Sequence, residues 1–64
     1  MTASRNALRS ADLRARKEAA SKGSRKFVVF VEGAARDFIV DAFDEKGAKA
    51  IALWNFGTDA VRAA

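Results

Sequence analysis

The stretch Phe27-Val28-Val29-Phe30-Val31, followed by Gly33-Ala34-Ala35 and resumed at Asp37-Phe38-Ile39-Val40-Asp41-Ala42-Phe43, decides the fold. Its first run is β-branched and aromatic on both faces, the pattern of a central, well-covered strand. The second run alternates. Phe38, Val40 and Ala42 share one face, while Asp37, Ile39, Asp41 and Phe43 make a half-polar one. Two such runs around a glycine-bearing turn read as a hairpin.

Downstream the reading forks. Asp44 before Glu45 makes an N-cap with an acid in the first turn, and Ala48, Ile51, Ala52 and Asn55 then line one helix face. The alternative is a tight turn at Asp44-Glu45-Lys46-Gly47 leading into a third strand over 48–56. Alanines at 48, 50 and 52 favour the helix, whereas Gly47, which costs a helix about 1 kcal/mol, keeps the strand open. Asn55 or Gly57 ends such a helix, and Thr58 is a candidate cap for a last short turn to Ala64.

Upstream, charge divides the chain. Residues 1–26 carry eight basic groups against Asp12 and Glu18, a net of +6, while residues 27–64 carry four basic against six acidic groups. The division suggests a basic, Ala-rich helical arm (1–26) joined to a hairpin-helix core (27–64). Ala, Leu, Arg, Lys and Glu give the arm helical propensity from Ser4 to Ala20. Ser4 or Thr2 is its candidate cap, and Gly23 after Lys22 its stop. Asp12 with Arg16 and Arg14 with Glu18 are i,i+4 pairs. Leu8, Ala11, Ala15 and Ala19 form a narrow apolar stripe with Leu13 off it, which predicts a loosely held helix. The expected fold class is α+β in the order helix-strand-strand-helix, with a two-stranded antiparallel hairpin. A three-stranded meander with an N-terminal helix is the alternative.

Sixty-four residues allow one small domain, and 15 of its 32 hydrophobic residues are alanine. The larger apolar side chains must supply the core. A sum at this length comes out near zero, so support from a partner or a homodimer is expected. Cysteine and histidine are both missing, which removes disulfides and makes a structural zinc site unexpected. The longest apolar run, Phe27 to Val31, is far short of the roughly 20 residues that span a bilayer. The basic, acid-poor N-terminus superficially suits a transit peptide, but its removal would leave about 40 residues, too few to fold alone. The better reading is a cytoplasmic protein, bacterial or, in a bacterial host cell, phage by its size.

The run from Phe27 to Glu32, then Asp37 to Ala42, then Asp44 to Leu53 resembles the hairpin-then-helix units of many small phage and mobile-element proteins. In these units a strand ending in Val-x-Ala is followed by an acidic cap and a helix with spaced alanines. Gly47 departs from the pattern, where a helix former is usual. That class includes anti-CRISPR inhibitors, so the resemblance implies inhibition by binding, without catalysis and without a cofactor.

The residue inventory points the same way. With no His or Cys, the commonest general base and soft nucleophile are missing. Asp37 and Asp41 share a strand face but lie about 13 Å apart at ~3.3 Å per residue, beyond the roughly 5–9.5 Å of working carboxylate pairs. No enzyme is expected. The candidate partner-binding residues are the cations Arg5, Arg9, Arg14, Arg16, Lys17, Lys22, Arg25 and Lys26, together with Trp54 and Phe56. The cations suit a nucleic-acid backbone or an acidic protein surface. The aromatics suit either the core or an interface anchor. Phe27 and Phe30 read as core, although strand aromatics can also stack bases. The function expected is stoichiometric inhibition of a host protein or ribonucleoprotein complex. The alternatives are a nucleic-acid-binding accessory protein using the basic arm, and a virion or assembly protein.

Overall fold

A computed structural model describes residues 4–64. Met1 and Thr2, the latter the other candidate cap, lie outside them. The elements run α1 (Arg5–Lys22), β1 (Arg25–Val29), β2 (Phe38–Ala42), α2 (Glu45–Phe56) and β3 (Val61–Ala63). The fold is α+β, with two helices and a three-stranded antiparallel sheet.

Local chemistry sets the helix ends. Ser4 Oγ accepts from the Ala7 amide at 3.1 Å, and the Gly23 amide donates to the Ala19 carbonyl at 3.0 Å. In α2, Asp44 Oδ1 accepts from the Gly47 amide at 2.8 Å. Gly57 closes that helix in the left-handed region (φ 73°), where a Cβ would be strained, and its amide donates to Leu53 O at 3.1 Å.

Residues 45–56 are therefore helical, and the third strand is not there. It lies at Val61–Ala63, where a terminal turn was expected. The strand count is that of the three-stranded alternative, but the order is β2-β1-β3. β2 and β3 are each antiparallel to β1, hence parallel to each other, and α2 connects them in a split βαβ arrangement. Val61 lies opposite Val29 and Ala63 opposite Phe27, so these last residues need the free side of β1 to become a strand at all.

Two strand boundaries also differ. β1 begins at Arg25, because Arg25 and Lys26 pair with Ala42 and Asp41 across the hairpin, and it ends at Val29. Beyond Phe30 a turn forms in which the Ala34 amide donates to Val31 O at 3.0 Å, with Gly33 at φ 84°. Asp37 precedes β2 rather than belonging to it.

Both helices cover one face of the sheet. Phe27 and Val29 of β1, Ala42 of β2, and Ala48, Ile51 and Ala52 of α2 are buried there, joined by Ala15 of α1. Four of these seven are alanines, so the layers approach closely and the core is thin. α1 packs chiefly against α2 and also meets β2. Its inward side is the expected stripe: Ala15 is buried, and Leu8, Ala11 and Ala19 are half-buried. The other sheet face is open. β1 is central as expected, but it is covered on one side only, leaving Phe30 exposed rather than in the core.

Candidate functional site

The candidate residues fall into three groups. Four cations are engaged by their own chain. Arg5 lies 5.2 Å over the Trp54 ring. Arg16 Nε donates to Asp12 Oδ1 at 3.0 Å and Oδ2 at 3.1 Å. Lys22 Nζ donates to Glu18 Oε2 at 3.4 Å and sits 5.3 Å over the Phe43 ring. Lys26 Nζ donates to Asp41 Oδ1 at 3.1 Å. Glu18 thus pairs with Lys22, not with Arg14.

Arg9, Arg14, Lys17 and Arg25 form the second group. They are exposed and make no ion pair among the described residues. Three of them ride on α1: Lys17 lies on its outer side, opposite Ala15, and Arg9 and Arg14 flank that side, Arg14 bordering a pocket with Ala15, Glu18 and Asp44. That side is shared with Asn6, Ser10, Leu13 and Ser21, all exposed. Its neighbouring acids are held within the chain: Asp12 is 4% exposed, and Glu18, one turn on from Arg14, is half-buried and held by Lys22. With 1.5 Å rise per residue, Arg9 and Lys17 stand about 12 Å apart along the axis. Exposed cations, hydroxyls and an amide along one helix are the donors that grip phosphate oxygens. Because α1 is docked on α2, it offers this one face to a partner and not its whole circumference.

The aromatics form the third group, and each packs on a neighbour within the chain. Phe56 stacks on Phe38 with centroids 4.9 Å apart and planes 25° from parallel. Trp54 is half-buried under Arg5. Both make contacts within their own chain. The open sheet face instead presents Val28, Phe30 and Ile39 with the Lys26–Asp41 pair, and Arg62 lies 5.2 Å over Phe30.

Asp12 has a role that its helical spacing does not reveal. Besides Arg16 it accepts from Asn55 Nδ2 at 3.1 Å, and Asn55 also donates to Ile51 O at 2.8 Å. The buried carboxylate therefore ties α1 to α2. Among the described residues there is no group of three or more ligating side chains that could hold a metal ion. No helix among them is long and apolar enough to cross a membrane. No family model, curated protein or solved structure matches the chain.

Proposed function

We propose that the chain is a small binding module that holds nucleic-acid backbone against the outer face of α1. The observation carrying this reading is the exposure of Arg9, Arg14 and Lys17 on an 18-residue helix, where none of them makes an ion pair among the described residues. Its contacts are to phosphate, so recognition is insensitive to sequence and strongly sensitive to salt. Three neutralised phosphates on duplex DNA correspond to roughly a 40-fold loss of affinity between about 50 and 200 mM salt. Fluorescence anisotropy with a short labelled duplex and a single-stranded RNA tests this. Micromolar binding that fades with salt supports the reading, and no binding at the lower salt overturns it.

A second reading is favoured by the apolar Phe30 and Ile39 on the open sheet face. Here the module docks on a nucleic-acid-containing host complex and blocks it stoichiometrically, as anti-CRISPR proteins do. It is distinguished by a fixed-ratio complex that survives salt and is weakened by substitutions on the sheet face.

A further inference from the structure

The register of the sheet identifies which backbone groups of β2 are unspent. Phe30 N–H donates to Ala60 O at 2.9 Å and Ala64 N–H donates to Lys26 O at 3.1 Å, so even-numbered residues of β1 direct their amides and carbonyls at β3. Alternation along the strand turns those of Arg25, Phe27 and Val29 toward β2. Their partners are Ala42, Val40 and Phe38, which therefore spend their backbone groups on β1. What remains is Ile39 and Asp41, whose N–H and C=O point outward from the sheet. β2 is an edge strand, so four hydrogen-bonding groups stand in a row with no strand beside them.

A cavity of about 330 Å³ runs along this edge, lined by Arg16, Ile39, Val40, Asp41, Ile51, Asn55 and Phe56. Side chains alternate between faces, so three consecutive residues of one strand bordering one cavity mark its backbone edge. The cavity thus lies between an unpaired strand edge and the helical layer, with Val40, Ile51 and Phe56 as its apolar part. Arg16 supplies the polar part. It meets Asp12 through Nε, its side chain is 54% exposed, and its two terminal amino groups make no hydrogen bond among the described residues.

We infer that this edge is a docking site for an extended, acidic peptide segment of a partner protein, added to the sheet as a fourth strand. Main-chain bonds go to Ile39 and Asp41. One apolar side chain enters the cavity toward Ile51 and Phe56, and a carboxylate two residues away on the same face meets Arg16. Charge selects this occupant over a second copy of the chain. α1 carries six basic groups against two acidic ones and packs on β2, so pairing two β2 edges would set two such helices side by side. Acidic groups of the peptide belong on the helix side. On the open side Asp41 is already matched by Lys26 and Asp37 sits at the entry to the strand.

The test is a titration of the full chain, labelled for amide NMR, with the capped peptide Thr-Val-Thr-Glu-Thr and with the same peptide bearing lysine for glutamate. The expected result is a shift of the Ile39 and Asp41 amides, slowed exchange at both, and at least a tenfold preference for the glutamate peptide. Ile39→Pro removes an outward N–H without touching the β1 ladder and should abolish the response while the spectrum stays folded. Arg16→Lys should keep binding but weaken it. Equal binding of both peptides, shifts confined to other surfaces, or no shifts at millimolar peptide would overturn the proposal. So would a concentration-dependent dimer that Ile39→Pro dissociates.

Discussion

Asp12 and Asn55 lie 43 positions apart, yet their contact fixes how the two helices meet. Removing the donor leaves a buried carboxylate with Arg16 alone. Asn55→Ala should therefore lower the unfolding free energy by about 1–3 kcal/mol. In urea melts, the Asp12→Ala/Asn55→Ala double variant should cost less than the two singles added together. Gly47 is the other informative residue. A Cβ there would meet Asp44 Oδ1 at 3.4 Å, Ala42 Cβ at 3.5 Å and Ala15 Cβ at 3.6 Å, all ordinary contacts. Gly47→Ala should then raise stability by up to about 1 kcal/mol, the helix cost of glycine, read as a shifted urea midpoint. Legibility at this scale follows sequence distance. The Ser4 and Asp44 caps act on amides three residues on and can be read directly, as can the Asp12–Arg16 pair. Asn55 reads only as a position on a helix face, because its partner is on another element. Likewise Arg5, Lys22 and Lys26 read as free cations until the fold supplies Trp54, Phe43 and Asp41.

Among the elements, α1, β2 and α2 are recognisable from propensity and alternation, with boundaries off by a residue or two. β3 is not. Val61-Arg62-Ala63 has little strand character of its own and forms only because β1 has a second edge to fill. The hairpin's uncovered edge is visible from the sequence, but which of its amides are free is not, since that depends on the register with β3. The register has a direct consequence for proline. Val40 N–H serves the β1 ladder and Ile39 N–H does not, so Val40→Pro should cost at least about 1–3 kcal/mol while Ile39→Pro leaves the fold intact. Thermal melts of the two variants followed by circular dichroism distinguish them.

For the molecule as a whole, the thin core decides what α1 is. Its apolar stripe buries little, yet Ala15 belongs to the core cluster and Asp12 binds α2, so the basic helix is part of the domain's packing as well as its candidate binding surface. Residues 24–64 alone should accordingly lack a cooperative unfolding transition and show poorly dispersed amide resonances. About 40 residues without disulfide or metal seldom fold unaided. For that reason the role of α1 in binding is better tested by changing its outer face than by deleting it. Arg9, Arg14 and Lys17 are exposed and unpaired among the described residues, so their replacement by alanine breaks no ion pair and removes no buried side chain. The decisive measurement is the salt dependence of duplex DNA binding for the full chain and for the Arg9→Ala/Arg14→Ala/Lys17→Ala variant. If the outer face of α1 holds the backbone, the slope of log K against log salt should flatten by about 0.9 per lost cation, close to 3 in total. An unchanged slope and affinity in the folded variant would contradict it and move the binding surface off α1.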